Sequence, residues 1–414
     1  MQKLTTPSIV RGSVRAPASK SYMQRAIAAA LLSEGQTTTI LNPSGCDDVV
    51  AALSVAERLG ATVERREDLV RIGGRFAPRD STLHCGEAGL CIRLFASIAA
   101  LHDGTLTMTG EGSLNKRPLD TLQAPLRALG ASCDTVGGFA PVTVCGPLRG
   151  GTAHVCGKIG SQMLSGLLFA LPRAENDSTL EVEGLQSTPY IDMTIHTLQD
   201  FGVTVAHEEY REFRIPGNQR YQSPGEYRVE GDWSGASFHL VAGAVAGSVT
   251  VEGLNPSSLQ ADRDIMDALA LAGAKIEVMA NAVSIAQASL AAFDFHAGNC
   301  PDLFPPLVAL AAHCDGVSTI RGALRLTHKE SNRALVLQRE FGKLGIRVDV
   351  DGDVMQVHGG TVTGGTIDAC GDHRIAMAGA VAALAAKGAV TVTGAECVDK
   401  SYPEFHDDLA TLLA

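Results

Sequence analysis

Aromatic side chains are scarce in this sequence of 414 residues: they make up 5% of it and include a single tryptophan. Hydrophobic residues nevertheless account for 45% of the chain, so the core has to be built mainly from alanine, valine, leucine, isoleucine and glycine. A core of small side chains favours closely packed helices and sheets. The length exceeds one ordinary core, and two domains are the simplest expectation.

The sequence also lacks an excess of positive charge, since its formal net charge is −11. Nucleic acids and anionic membranes bind through broad basic surfaces, so neither is expected as a partner, and any anion site must be local. The longest apolar stretch, residues 375–386, is too short to span a bilayer, and the N-terminus shows no apolar run of the signal-peptide type. We therefore expect a cytoplasmic protein.

Paired cysteine motifs are absent too. The ten cysteines are scattered without a CxxC pair, and we predict that they are reduced, small core residues rather than disulfides or metal ligands. No P-loop, dinucleotide-binding glycine pattern or metal-ligand cluster is found. The expected protein binds no metal and no cofactor.

What the sequence does contain is an internal repeat of about 71 residues. Glycines that end a predicted helix and precede a predicted strand recur at separations of 70, 72, 71 and 72 residues, at Gly60, Gly130, Gly202, Gly273 and Gly345. A second series of helices, rich in alanine and leucine, is predicted to begin near Ser19, Gly89, Ser161, Ser234, Asp302 and Asp372. The pattern predicts an α/β protein of six units, three in each domain, with the alanine-rich helices buried between sheets.

The end of the chain leaves no room for the last strand of the sixth unit. We expect residues 4–15 to supply that strand, so that both termini belong to one domain. The predicted domains are residues 1–18 together with 230–414, and residues 19–229.

Cationic side chains lie where several alanine-rich helices are predicted to begin. Lys20 and Arg25 are near the start of one helix, and Arg374 is near the start of another. A cation in the first turn opposes the helix dipole, at a cost of a few tenths to about 1 kcal/mol. A bound anion reverses the sign, because the dipole, the free N–H groups and the side chain then all attract it. The pattern predicts local anion sites, with solvation or an ion pair to a nearby aspartate as the alternative.

The segment HKESNR shows a similar conflict. Lys329 and Arg333 are predicted at positions i and i+4 at the start of an amphipathic helix, where like charges repel by a few tenths of a kcal/mol. An anion between them would remove the repulsion. An ion pair with Glu330 is the alternative.

Three further polar residues are ambiguous when each is taken alone. Asp302 could cap a helix or act as a functional carboxylate. Arg117 lies beside Pro118, which could simply open a helix, and Lys400 occupies the matching turn of the last unit. Their meaning depends on the rest of the pattern.

Ten segments, taken in order, resemble the 5-enolpyruvylshikimate-3-phosphate synthase family over essentially the whole chain. They are SKSYMQRA, GEAGLCIRL, KRPLD, GSQMLSGLL, STPYIDMT, GDWSGASF, PDLFPP, HKESNR, GDHRIAMA and DKSYPEF. Each segment alone is weak, whereas the ordered set is highly specific. The resemblance implies a two-domain inside-out α/β barrel with three βαβαββ-type repeats per domain, in agreement with the repeat count.

The resemblance also implies an activity and a set of site residues. The family transfers the enolpyruvyl group of phosphoenolpyruvate to the 5-hydroxyl of shikimate 3-phosphate with release of phosphate, and we expect a monomer that needs no cofactor. The residues implied to contact shikimate 3-phosphate are Lys20, Ser21, Arg25, Ser161, Gln162, Ser187, Asp302 and Lys329. Those implied to hold phosphoenolpyruvate are Lys20, Gly89, Arg117, Gln162, Arg333, Arg374 and Lys400.

Acid–base catalysis is expected of four residues, three of them among these ligands. Asp302 is expected to act as the base towards the hydroxyl and Glu330 as the proton donor to C3, with Lys20 or Lys329 sharing the transfers. Cleavage of a carbon–oxygen bond in this way needs acid–base groups and no metal.

The chain departs from the family pattern at three places. Glu87, Ala88, Gly89 and Leu90 stand where the family usually has Asn-Ala-Gly-Thr. Gly160 replaces a serine, and Arg325 stands where many members have asparagine or an acidic residue.

Other functions have their own sequence requirements. The sister UDP-N-acetylglucosamine 1-carboxyvinyltransferase family typically opens with a Lys-Asn pair, whereas Ser21 follows Lys20 here. A non-catalytic repeat scaffold predicts no cations clustered at buried helix starts. An RNA-modifying enzyme on a related repeat fold needs a basic surface.

Overall fold

Two compact units make up the chain, which the computed structural model describes over residues 1–414. Unit 1 comprises Met1–Pro17 and Glu230–Ala414, and unit 2 comprises Ala18–Val229. The first boundary lies one residue before the position expected from the sequence, and the second coincides with it. Both termini are in unit 1.

Helices alternate with short groups of strands along the whole chain. The α-helices are α1 (Lys20–Leu32), α2 (Asp47–Arg58), α3 (Gly89–Ala99), α4 (Gln123–Ala128), α5 (Gln162–Ala170), α6 (Pro189–Asp200), α7 (Trp233–Ala246), α8 (Ile265–Leu271), α9 (Phe304–Ala311), α10 (Arg333–Lys343), α11 (His373–Ala383) and α12 (Phe405–Leu412).

The strands of unit 2, with the two that precede it, are β1 (Gln2–Thr5), β2 (Val10–Arg15), β3 (Thr38–Leu41), β4 (Ala61–Arg65), β5 (Leu69–Gly74), β6 (Thr82–His84), β7 (Thr105–Thr109), β8 (Ser132–Val136), β9 (Phe139–Cys145), β10 (Gly151–Cys156), β11 (Ser178–Glu183), β12 (Ala206–Glu208), β13 (Glu212–Ile215) and β14 (Glu226–Arg228). The remaining strands, all in unit 1, are β15 (Gly247–Glu252), β16 (Lys275–Met279), β17 (Ala282–Ala286), β18 (Asp294–His296), β19 (Val317–Arg321), β20 (Val348–Asp351), β21 (Val354–His358), β22 (Gly365–Asp368) and β23 (Val390–Thr393).

Six sheets confirm the six predicted units, three in each part of the chain. The unit from β6 to β9 shows the plan: β6, α3, β7, α4, β8 and β9 follow in order, which is a βαβαββ repeat. Its sheet has the order β6-β7-β9-β8, with the first pair parallel and the others antiparallel. The other sheets are β14-β3-β5-β4, β10-β11-β13-β12, β16-β17-β15-β2, β18-β19-β21-β20 and β1-β23-β22.

The N-terminal segment was expected to complete the sixth unit with residues 4–15, and that expectation is only partly right. β1 does pair with β23, from Gln2 opposite Thr393 to Thr5 opposite Val390. β2 instead runs parallel to β15 in another sheet of unit 1. The reason lies in the connectivity: β14, which precedes α7, pairs with β3 of unit 2. The position parallel to β15 is therefore filled by β2, the strand that precedes α1.

The alanine-rich helices are buried, as the sequence predicts. Every residue of α3, α7, α9 and α11 is buried, as are α1 from Tyr22 onwards and α5 from Met163 onwards. The other six helices, among them α2 and α10, bury one face only. The glycines that end these outer helices all have positive φ, from +72° at Gly202 to +116° at Gly60, which confirms the predicted helix stops.

Close packing of the buried helices depends on residues without long side chains. Gly166 of α5 lies so near α3 that a Cβ there would be 2.5 Å from the carbonyl oxygen of Arg93 and 2.9 Å from Ser97 Oγ. These distances are shorter than any normal contact. The two helices can therefore approach this closely only with glycine at position 166.

All ten cysteines are unpaired, and six of them are buried, at Cys46, Cys85, Cys91, Cys133, Cys300 and Cys314. Burial raises the pKa of the Cys46 thiol to about 11 and that of Cys133 to about 12. These thiols stay protonated at neutral pH, as expected of core residues.

None of the helices combines the length and hydropathy required to cross a membrane.

The close approach of α5 to α3 gives a stability prediction. Gly166→Ala should lower the free energy of unfolding by about 1–3 kcal/mol, because the added methyl group overlaps a backbone carbonyl that cannot move freely. Gly342→Ala is the matched control, since Gly342 is also helical, is exposed and has open space around its Cα. It should be neutral or stabilise by up to about 1 kcal/mol. Denaturant unfolding measures both, and equal effects would contradict the packing argument.

Candidate active site

Lys20 lies in the first turn of α1, directly after the N-cap residue Ser19. Its Nζ donates a hydrogen bond to Asp48 Oδ2 at 2.9 Å, and the Asp48 side chain is only 5% exposed. A buried carboxylate next to an ammonium group favours the charged form of both. The ion pair to an aspartate that the sequence left open as an alternative is therefore present.

Arg25, one turn further along α1, is buried and bonded to neutral oxygens. Its guanidinium donates to Thr194 Oγ1 at 2.9 Å, to the Ser21 carbonyl at 2.8 Å and to the Tyr190 carbonyl at 2.9 Å. Burial lowers the pKa of Arg25 to about 10, so it remains charged at neutral pH. These bonds fix the guanidinium without a carboxylate, and its positive charge is left to attract an anion.

Arg93 bonds to two of the predicted phosphoenolpyruvate residues of unit 2 and to the residue that follows a third. It donates to the Gly89 carbonyl at 3.0 Å, to Gln162 Oε1 at 3.1 Å and to the Pro118 carbonyl at 2.8 Å. The guanidinium of Arg117 lies directly against Gly89, where a Cβ would overlap it. Gly89, Arg117 and Gln162 therefore form one connected group at the starts of α3 and α5.

Two of the predicted serines of unit 2, Ser161 and Ser187, lie just before helices. Ser187, just before α6, is buried and has φ +58°, a left-handed conformation that costs a non-glycine residue about 1–3 kcal/mol. Ser161 is buried at the N-cap of α5 and makes no capping bond with its side chain. Gly160 has φ +147°, so the serine usual in the family would be strained here.

Asp302 is the centre of the charged cluster of unit 1. Its carboxylate accepts hydrogen bonds from Lys329 Nζ at 3.2 Å, Arg333 at 2.8 Å and Arg374 at 3.1 Å. Burial alone would raise the pKa of Asp302, but Arg374, Lys329 and Arg333 hold it well below its usual range. The N-cap interpretation is wrong, because Asp302 lies within the 3₁₀ turn Pro301–Leu303 and α9 begins after Leu303.

Arg333 is fully buried and begins α10, with Asn332 as the N-cap. Lys329 precedes the helix, so the expected i, i+4 pair within one helix is wrong. Carboxylates offset the charge of Arg333, through Glu330 at 2.8 Å and Asp372 at 2.9 Å. Burial lowers the pKa of Arg333, but Asp372, Glu330 and Asp302 more than offset this, so that its pKa lies above the usual value.

The start of α11 completes this cluster. Asp372 is the N-cap, and its side chain accepts the backbone N–H of Arg374 at 3.1 Å as well as the hydroxyl of Ser331 at 3.1 Å. Burial lowers the pKa of Arg374, but the nearby Asp302 carboxylate raises it by more. The pKa of Arg374 therefore lies above its usual value. Lys400 ends the 3₁₀ turn Ala395–Lys400 and is buried.

Several residues that organise these groups were missed from the sequence. Arg93 is a lone charge in the apolar segment GLCIRLFASIA, which is a signal that could have found it. Asp372 was recognised only as a helix start. Asp48 and Thr194 are separated from Lys20 and Arg25 by 28 and 169 residues, and nothing in the sequence links them.

The fold and these charged groups define a class of protein: a two-unit α/β protein of six βαβαββ repeats with cations at the starts of buried helices. A family model described as EPSP synthase (3-phosphoshikimate 1-carboxyvinyltransferase) matches residues 4–409. The chain belongs to the EPSP synthase family.

Relatives and solved structures agree with this family. The 3-phosphoshikimate 1-carboxyvinyltransferase of Methanocella arvoryzae is 41% identical over 98% of this chain and 97% of its own. That of Aeropyrum pernix is 39% identical over 98% and 94%. The structure of EPSP synthase from Acinetobacter baumannii superposes with a TM-score of 0.83 at 26% identity, covering 100% of this chain and 98% of that chain. These matches favour the shikimate family over the UDP-sugar alternative.

The position of Asp302 among three cations gives a stability prediction. Asp302→Asn should lower the free energy of unfolding by about 3–5 kcal/mol, because three buried or half-buried cations lose a shared carboxylate. Millimolar inorganic phosphate should restore part of the loss by binding the same cations. Thermal unfolding with and without phosphate measures both effects.

Asp294→Asn is the control, because Asp294 forms an exposed pair with Arg321 at 2.8 Å. It should cost less than about 1 kcal/mol and show no particular response to phosphate. Equal melting temperatures for the two variants would show that Asp302 does not compensate the charge of the cations.

Proposed function

We propose that this chain transfers the enolpyruvyl group of phosphoenolpyruvate to the 5-hydroxyl of shikimate 3-phosphate and releases phosphate. The family match over residues 4–409 supports the reaction class. The observation that carries the chemistry is the buried Asp302 carboxylate bonded to Lys329, Arg333 and Arg374. It supplies an ionised base with cations beside it.

Residues of unit 2 provide most of the proposed contacts to shikimate 3-phosphate. Arg25 suits the phosphate because neutral oxygens, and not a carboxylate, hold its guanidinium in place. The proposed ligands in this unit are Lys20, Ser21, Arg25, Ser161, Gln162 and Ser187. Asp302 and Lys329 are the proposed ligands from unit 1.

Phosphoenolpyruvate is proposed to be held by the connected group around Arg93 and by the cations of unit 1. Gly89 leaves space beside the Arg117 guanidinium, and Gln162 is fixed by its bond to Arg93. The proposed ligands are Lys20, Gly89, Arg117, Gln162, Arg333, Arg374 and Lys400.

Both substrates carry a carboxylate and a phosphate, with about three negative charges each. Two unit charges about 7 Å apart repel by about 2 kcal/mol at an effective dielectric constant near 20. Several such pairs arise when both substrates bind. The cations among the proposed ligands are therefore required for the two anions to bind together.

The proposed reaction consists of an addition and an elimination. A proton adds to C3 of phosphoenolpyruvate, the oxygen of the 5-hydroxyl attacks C2, and Asp302 accepts the hydroxyl proton. The tetrahedral adduct then loses a proton from the new methyl group and expels phosphate by cleavage of the C2–O bond. The product is the enolpyruvyl ether.

Glu330 is the proposed donor of the proton to C3, with Lys20 or Lys329 sharing the transfers. In the cluster it accepts a hydrogen bond from Arg333 at 2.8 Å, and this pairing favours the ionised carboxylate. Anionic phosphoenolpyruvate bound to Arg333 would compete for that guanidinium and add negative charge nearby. Both changes favour the protonated carboxyl group that an acid needs.

We also propose that the enzyme acts in the cytoplasm and is a monomer. The first rests on the biosynthetic role of the family. The second rests on the resemblance to the family.

Substrate identity can be tested directly. Phosphate release from phosphoenolpyruvate should require shikimate 3-phosphate and should continue in excess chelator, because the proposed acid–base groups need no metal. A coupled phosphate assay with shikimate 3-phosphate or UDP-N-acetylglucosamine as acceptor measures this. Turnover with the UDP-sugar alone, or strict dependence on a metal, would refute the proposal.

The role of Glu330 can be separated from its ion pair with Arg333. Glu330→Gln keeps size and hydrogen bonding but removes the acid, so turnover should fall about 10² to 10⁴-fold, or roughly 3–5 kcal/mol in barrier. In heavy water the wild type should place deuterium at C3 of the enolpyruvyl group through the transient methyl group. The variant should lose this exchange in step with turnover.

Glu340→Gln is the matched control, since Glu340 is a buried carboxylate of α10, the helix that Arg333 begins, and pairs with Arg339 at 2.6 Å and Lys343 at 2.7 Å. It should reduce stability without a comparable loss of exchange or turnover. If Glu330→Gln stays within about tenfold of the wild-type rate and only melts earlier, Glu330 is structural, and the donor must be Lys20 or Lys329.

A further inference from the structure

Glu87 lies in the turn between β6 and α3, two residues before Gly89. This turn runs beside the segment that leads to Arg117. The N–H of Cys85 donates to the carbonyl of Thr109, and the N–H of Glu111 donates to the carbonyl of Gly86, both at 2.9 Å. The two segments are thus joined at the backbone where Glu87 leaves the turn.

The carboxylate of Glu87 is bonded to the first turn of the 3₁₀ helix Gly112–Lys116. Its Oε2 accepts the backbone N–H of Ser113 at 3.1 Å and the Ser113 hydroxyl at 2.5 Å. Gly112 has φ +51°, and a Cβ there would overlap both carboxylate oxygens. A carboxylate that accepts N–H groups at the start of a helical turn makes strong, charge-assisted hydrogen bonds.

The same 3₁₀ helix ends at Lys116, and Arg117 is its C-cap. Its middle residue, Leu114, is fully buried, and the Leu114 carbonyl accepts the N–H of Arg117 at 3.1 Å. After Arg117, the Pro118 carbonyl is held by Arg93. The backbone on both sides of Arg117 is therefore fixed, by Glu87 through Ser113 before it and by Arg93 after it.

The charge of Glu87 makes this arrangement unusual. An unpaired carboxylate about 7 Å from an anionic substrate would oppose binding by about 2 kcal/mol for each pair of unit charges. The two donors of Ser113 turn the carboxylate towards the 3₁₀ helix and offset part of its charge. A residue that is unfavourable beside an anion can then support the arginine that binds the anion.

We propose that Glu87 is a positioning residue for phosphoenolpyruvate: by holding Ser113 it keeps the Arg117 guanidinium against Gly89. This role rests on the proposed function, in which Gly89 and Arg117 bind phosphoenolpyruvate. Glu87 itself acts through Ser113 and does not need to touch the substrate.

Steady-state kinetics of Glu87→Ala tests the proposal. The KM for phosphoenolpyruvate should rise about 10 to 100-fold, the range that corresponds to a lost hydrogen bond to a charged group. The KM for shikimate 3-phosphate should stay within about threefold, because the residues proposed to bind it are held by other contacts. Glu87→Gln, which keeps one acceptor oxygen, should recover most of the affinity.

Ser113→Ala distinguishes action through Ser113 from direct contact with the substrate. Alone it should raise the KM for phosphoenolpyruvate by a smaller factor, since the backbone N–H remains. Added to Glu87→Ala it should have no further effect, because both changes break the same link. Additive effects would mean that Glu87 acts directly on the substrate, which overturns the proposal.

Glu111→Ala is the matched control, as Glu111 is an exposed carboxylate of the same segment. It should leave both KM values unchanged. An unchanged KM for phosphoenolpyruvate in Glu87→Ala, or an equal rise in both KM values, would overturn the proposal. If Glu87→Ala does not fold, Ser113→Ala decides the matter alone: an unchanged KM for phosphoenolpyruvate in that variant would overturn the proposal. Activity of the wild type with both substrates decides the proposed function separately.

Discussion

Buried positive charge requires a partner, and the cluster around Asp302 shows how unit 1 meets this requirement. The side chain of Arg333 is completely inaccessible to solvent, and that of Arg374 is 5% exposed. A buried guanidinium without compensation would cost several kcal/mol. The Arg333 guanidinium donates hydrogen bonds to three carboxylates, those of Asp302, Glu330 and Asp372. The starts of α10 and α11 and the turn before α9 are tied together by these ion pairs.

The buried Arg25 of unit 2 has a different kind of partner. Arg25 donates to a hydroxyl and to backbone carbonyls, which satisfy its N–H groups but not its charge. Arg333 is bonded to carboxylates only. An anion can therefore approach Arg25 without displacing a bonded carboxylate, whereas an anion bound to Arg333 must share the guanidinium with groups that can accept protons. The difference matches a ligand-holding role for Arg25 and an acid–base environment around Asp302 and Glu330.

The repeat determines where these groups can lie. Each βαβαββ unit buries one alanine-rich helix and places its N-terminus after the first strand of the repeat. Small residues such as Gly166 let the buried helices approach until their first turns are neighbours. Three helix starts in one unit then bring together residues that are distant in sequence, as Arg93 and Gln162 are. The local positive potential arises in a chain whose formal net charge is −11.

The sequence by itself determined the repeat, the buried helices, the glycine stops and the family. The first three follow from patterns that recur every 68 to 73 residues and depend only on local chemistry, whereas the family follows from the ten ordered segments. The tertiary structure decided which partner each charge has. It pairs Lys20 with Asp48, bonds Arg93 to Gln162, places Asp302 in a 3₁₀ turn and not at an N-cap, and starts α10 at Arg333, after Lys329. It also sends β2 and β14 to different sheets. Sequence spacing cannot supply these facts, because ion pairs and strand pairing depend on the distance between atoms in space, which chain separation does not set.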